Sequence, residues 1–197
     1  MVKAWMDKII GGLKMNLKSK IEEYVPYDEI EAKDKEYFLK WINTFEDVLT
    51  RNNEFGHITA SAFVVNEDKT KMLVVYHNIY DNWIYPGGHA DGEEDLLSVA
   101  VREVLEETGL KVKVLDNSIY AIAAYPTIGH IKRGKYVSAH THLDVVFILE
   151  GNDKEPLKIK EDENKGVKWI PLEEAYGNKI VDFTRPTNKR MIKKLKS

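Results

Sequence analysis

Glu103, Glu106 and Glu107 stand three and four positions apart in REVLEETG, residues 102–109. On a helix such carboxylates share a side, where like charges repel by a few tenths of a kcal/mol per pair. At roughly 100° per residue the three span an arc of about 100°. Leu97, Ala100, Val101, Val104, Leu105 and Thr108 occupy a different arc and form the expected packing face, while Leu96 and Val99 fall on the glutamate side. That side is therefore expected to be partly covered, giving a walled acidic cleft. Clustered carboxylates suit Mg2+ or Mn2+, hard ions that take oxygen ligands and share their coordination shell with phosphates. Judged on these residues alone, a solvated acidic face is the simpler reading.

Upstream lies YPGGHADG, residues 85–92, with three glycines and a proline. Such a loop brings backbone groups close to a ligand where side chains would obstruct it. Asp91 followed by Glu94 is read as the N-terminal capping signal of the glutamate helix, and Gly109 as its left-handed C-cap.

Loop and helix together spell Gly88, five residues, Glu94, seven residues, Arg102, Glu103, an aliphatic Val104, any residue, Glu106, Glu107, any residue, Gly109 and an aliphatic Leu110. At average residue frequencies a chance match arises on the order of 10⁻⁷ times per chain. GHADGEEDLLSVAVREVLEETGL, residues 88–110, resembles the Nudix box and is complete at every defining position.

The resemblance implies an α+β fold, a Nudix-type α/β/α sandwich with a mixed sheet; the N-terminal helical extension expected before it lies outside the family pattern. The resemblance also implies an enzyme, a pyrophosphohydrolase that uses Mg2+ or Mn2+ to cleave a nucleoside diphosphate linked to another moiety. ADP-ribose, a nucleotide sugar, a dinucleoside polyphosphate or a (d)NTP would each qualify as substrate. By similarity Glu103, Glu106 and Glu107 hold the metal, a backbone carbonyl of Gly87 or Gly88 completes the shell, and Arg102 orients a glutamate. Glu94 takes a supporting role. The family's general base is either a box glutamate or an acid on a later loop, for which Glu163 is the candidate here, with Glu161 and Asp162 as competitors. The alternative is a Nudix domain that senses a nucleotide ligand or binds a protein without turnover; degenerate members commonly lose a box glutamate, and none is lost here.

Other residues could meet the substrate. His89 follows the glycines and could contact a phosphate. Lys132 and Arg133 lie in the stretch 127–140, read as a long loop, and Tyr125 could stack on a base, although packing is the default for that ring. His77, His140 and His142 sit in or beside strands and are expected to be core or hydrogen-bonded histidines rather than a zinc site.

Positioning these groups falls to elements legible as period. Apolar residues at helical spacing from Tyr27 to Arg51 predict an amphipathic helix, and Pro26 separates it from a weaker helical segment over 16–24. HITASAFVVN and KMLVVYHNIY read as a strand hairpin, with further strands at 111–125, 142–150 and 167–170. Residues 95–108 and 187–196 read as helices, the second with a solvated basic side. The domain division expected is 1–56 for the extension, packed on the main domain, and 57–197 for the Nudix domain.

The 197 residues carry 43% hydrophobic and 31% charged side chains, ordinary for a globular chain. A net charge of −3 gives no general footprint for nucleic acid, so the expected partner is a small nucleoside diphosphate derivative, and a homodimer is compatible with the chain. Cysteine is absent, which removes disulfides and thiolate sites. No apolar run is long enough for a membrane span, and the expected location is cytoplasmic.

Overall fold

GHITASAFVVN is apolar or small at almost every position, and all eleven residues of the strand it forms, β1 (Gly56–Asn66), are buried. A strand covered on both faces reads as a continuous run rather than an alternation. The computed structural model describes residues 16–132, 134–161 and 163–197. They fall into two units, each assembled from separate stretches of chain.

The first unit takes in the chain up to Thr59 together with His89–Glu94 and Ile122–Asp144. Its helices are α1 (residues 16–23) and α2 (Glu29–Thr44). Asp28 caps α2 by accepting the Glu31 N–H at 2.9 Å, and Glu31 reaches back to accept the Tyr27 N–H at 2.7 Å. This is a reciprocal capping box, which satisfies two helix-end donors. The Glu31 side chain is fully buried, and its other oxygen accepts the Ile122 N–H at 3.3 Å, fixing α2 to β6 (Ala121–Thr127). Helix α2 ends at Thr44 rather than near Arg51. Beyond it, the Asp47 carboxylate accepts the N–H groups of Leu49 and Thr50, the local bonding by which aspartate competes with helix. The stretch expected as one long loop is instead a hairpin of β7 (His130–Lys132) and β8 (Lys135–Val137), turned at Gly134 with φ 77°.

The second unit takes in Ala60–Gly88, Asp95–Ala121 and Val145 onward. Val65 of β1 pairs antiparallel with Met72 of β2 (Lys71–His77), as the hairpin expectation required. β3 (Asn82–Ile84) pairs with β2, β4 is Gly87–His89, and β5 (Val112–Val114) pairs with β9 (His140–Gly151). β10 (Asn164–Pro171) runs antiparallel to β2 with Val167 opposite Val75. The main sheet follows the order β10-β2-β1-β9-β5, with β3, β4 and β6 attached to β2, β1 and β9. Helices α3 (Leu96–Thr108) and α4 (Arg185–Lys196) complete the mixed α+β architecture. In α4 the apolar face is buried at Met191 and Ile192, but the basic side is not simply solvated: Arg190 is buried and Lys194 donates to the Tyr120 carbonyl. No described helix is long and apolar enough to cross a membrane.

Candidate active site

Helix α3 spans the residues expected, but its cap is not Asp91. Asp95 is the cap, accepting the Ser98 N–H at 3.2 Å and the Ser98 hydroxyl at 2.7 Å. Asp91 instead adopts φ 47° and forms a two-pronged ion pair with Arg51 at 2.7 and 2.6 Å, and Glu94 is exposed. Two-pronged pairing with a guanidinium is the stronger option for that carboxylate. At the other end Gly109, φ 69°, donates to the Leu105 carbonyl at 2.9 Å and closes the helix as expected.

The buried stripe of α3 is rotated from the expected one. Leu96, Val99, Ala100, Val104, Glu107 and Thr108 are buried, whereas Leu105 is 46% exposed. The run 96, 99, 100, 104, 107 and 108 is itself a continuous helical stripe. Packing along it carries Glu107 inward to 3% exposure.

Gly88 lets the strand approach this face, and Gly87 lets it approach β1. A Cβ on Gly88 would lie 2.4–2.7 Å from the Glu103 carboxylate, and one on Gly87 would lie 2.2 Å from the Ser61 hydroxyl. The Gly87 N–H donates to Glu107 Oε2 at 3.0 Å. From the far end of the helix, Asn164 Nδ2 donates to the Glu107 carbonyl at 3.1 Å. Arg102 lies 3.6 Å from Glu106 and 3.9 Å from Glu103.

A cation that the sequence did not mark completes the cluster. The Lys160 ammonium is 3.1 Å from Glu106 and 2.9 Å from Glu163, and so draws Glu163 to the glutamate helix. Burial pulls the Lys160 pKa down, but the Glu163 and Glu106 carboxylates outweigh it and hold the pKa above the ordinary lysine value. Only the rule that buried carboxylates attract a cation could have anticipated it, and several lysines in 154–168 would have qualified.

The structure brings Gly87, Gly88, Arg102, Glu103, Glu106, Glu107 and Glu163 together within the second unit. His89, Lys132 and Tyr125 belong to the first unit, and Arg133 and Asp162 lie outside the described residues. Tyr125 is 7% exposed, so packing accounts for its ring. Burial and then the neighbouring His57 and Arg51 push the His89 pKa down to about 2. His77 is in the second unit, accepts the Ile79 N–H at 3.2 Å and stacks on Tyr80.

Electrostatically the cluster is short of positive charge. Burial, reinforced by Glu103 and Glu163, pushes the Glu107 pKa up to about 8 despite the Gly87 hydrogen bond. Burial, then Glu106 and Glu163, also raises the pKa of Glu103. Three crowded carboxylates, of which Glu103 and Glu107 resist ionisation, with hard oxygen donors and a glycine cradle that admits nothing larger, fit a divalent cation of the Mg2+ class.

Residues 56–195 match the NUDIX domain model, and the chain belongs to the Nudix family of pyrophosphohydrolases; it is a Nudix hydrolase. It is 31% identical over 139 residues to an RNA pyrophosphohydrolase of Pelagibacter ubique, covering 68% of this chain and 87% of the relative. It is 28% identical over 144 residues to a "Probable DHNTP pyrophosphohydrolase" of Lactococcus lactis, covering 71% and 81%. The crystal structure of a MutT protein from Methanosarcina mazei Go1 matches the fold with a TM-score of 0.57 at 21% identity, over 78% of this chain and 100% of that one.

Proposed function

We propose that this chain hydrolyses the pyrophosphate bond of a nucleoside diphosphate linked to another moiety, with Mg2+ or Mn2+ held by Glu103, Glu106, Glu107 and the Gly87 carbonyl. The observation that carries the reading is the buried Glu107 carboxylate, tied to the Gly87 amide and crowded by Glu103, a charge arrangement that favours a divalent cation. Relatives carry the names "RNA pyrophosphohydrolase" and "Probable DHNTP pyrophosphohydrolase", which supports the bond cleaved and leaves the attached group open.

When bound, the ion supplies Lewis acidity toward phosphoryl oxygens and lowers the pKa of water. The chain's own residues do the rest. Arg102 braces Glu106 and Glu103 from the solvent side. Gly88 leaves the Glu103 carboxylate the space a side chain would take. Glu163, steered by Lys160, is the acid assigned to accept the proton of the attacking water. Lys160 neutralises Glu106 and Glu163 until a cation and a phosphate arrive.

The deciding experiment is a screen of ADP-ribose, nucleotide sugars, dinucleoside polyphosphates and (d)NTPs with Mg2+, comparing the unmodified chain with Glu106→Gln. Turnover of one class, lost in the variant with unchanged circular dichroism, supports the reading. Equal turnover by the variant sinks the glutamate assignment. Metal binding with no turnover of any substrate favours a ligand sensor instead.

A further inference from the structure

Four of the chain's six histidines converge within the first unit. His57 starts β1, His89 ends β4, and His140 and His142 start β9. The ring centres of His57 lie 5.0 Å from His89, 5.0 Å from His140 and 5.2 Å from His142; His140 and His142 are 4.9 Å apart, and His89 and His142 are 5.0 Å apart. Imidazoles bound to one ion at about 2.0–2.1 Å hold their ring centres roughly 5 Å apart.

The ring nitrogens agree. One ligand atom each from His57, His140 and His142 lies within 4.8 Å of the others, and the Nε2 atoms of His140 and His142 are 3.0 Å apart. A tetrahedral zinc-type ion would separate its nitrogens by roughly 3.3 Å. Tautomers are already set at two of the three. His57 Nδ1 faces the Asn53 carbonyl at 3.3 Å, and His140 Nδ1 faces the Ser138 carbonyl at 2.8 Å. A carbonyl only accepts, so each Nδ1 carries the proton and each Nε2 keeps its lone pair. Donation of the far N–H to a carbonyl is how metal-ligating histidines are oriented. The independent sign is His57 itself: 4% exposed, with a buried Nε2 that has no hydrogen-bond partner among the described residues. A buried acceptor left without a partner is costly unless something satisfies it.

We propose that His57, His140 and His142, flanked by His89, bind a borderline divalent transition metal of the zinc type, at a site separate from the carboxylate site. All-imidazole donors suit zinc, copper or nickel and disfavour Mg2+. Binding uses both Nε2 lone pairs, so the proton that His142 Nε2 donates to His140 Nε2 is transferred to His142 Nδ1 and both rings stay neutral. The ion pins the starts of β1 and β9 to the end of β4.

The test uses tag-free full-length chain, stripped with a chelator, given Zn2+ and desalted. About one zinc per chain is expected by atomic emission, retained in Glu103→Gln/Glu106→Gln and in His77→Ala. Competition against a chromogenic chelator should weaken at least about tenfold in His142→Ala and in His57→Ala, the scale set by loss of even a supporting group. Co2+ should give visible d–d bands that vanish in the same variants. Absence of retained zinc in the unmodified chain, or equal affinity in the histidine variants, overturns the site. Should a variant lose its circular dichroism, proton–nitrogen correlation of the histidine rings in the unmodified chain decides. Stoichiometric Zn2+ must shift His57, His140 and His142, and unshifted rings overturn the proposal.

Discussion

A carboxyl group buried as deeply as that of Glu107 titrates where no free carboxyl would. Its pKa is pushed from 4.5 up to about 8, so the folded, metal-free chain holds a proton that the unfolded chain releases. A raised folded-state value contributes stability below the unfolded pKa and loses it as pH rises through the folded one. The melting temperature in chelator should therefore fall between about pH 4.5 and 8, and Glu107→Gln should flatten that slope. A slope identical in the variant would assign the pH dependence elsewhere. Gly88→Ala drives a methyl into the Glu103 carboxylate, and turnover should drop about 10–100-fold, the usual scale for displacing a supporting group at a metal site, while thermal stability changes little. That Glu103 and Glu107 would gather beside the Gly87–Gly88 pair was readable in advance, because the spacing of the box sets loop against helix. Lys160 was not, since its role depends on a fold that brings residue 160 to residue 106.

At the scale of elements, period revealed which segments are helix or strand but not which way a helix faces. Helix α3 contains two overlapping apolar stripes, and the one through Leu96 and Val99 won, turning Leu105 to solvent and Glu107 inward. The sequence favoured the other stripe because it counts apolar residues and cannot see the strand that Gly88 allows against the helix. Capping was misplaced for a related reason: Asp91 and Asp95 are both suitable residues, and the distant Arg51 decided between them. Asp95→Ala should accordingly destabilise by ~1 kcal/mol, the usual cap contribution, in urea unfolding, whereas Asp91→Ala should leave α3 intact. Glu31→Ala removes acceptors from the Tyr27 and Ile122 amides together. A loss of about 1–3 kcal/mol is expected, since buried donors are left unpaired; less than half that would mean that the α2 contact is dispensable.

For the molecule as a whole, saturation with Mg2+ at about one hundred times its dissociation constant should add ~2.7 kcal/mol of stability, and Glu106→Gln should forfeit most of it by calorimetry. The family and the reaction class were legible from twenty-three residues, because chemistry at a metal site tolerates few substitutions. A contact between residues 31 and 122, by contrast, leaves no local trace in the sequence. The first unit draws on three separate stretches and the second on three others. The backbone therefore passes from one unit to the other five times, at 59/60, 88/89, 94/95, 121/122 and 144/145. Such a weave has no modular seam. Neither unit can be lifted out as a gene fragment, fused to another protein or lost in a single deletion, so the two are bound to be inherited, and to evolve, as one piece.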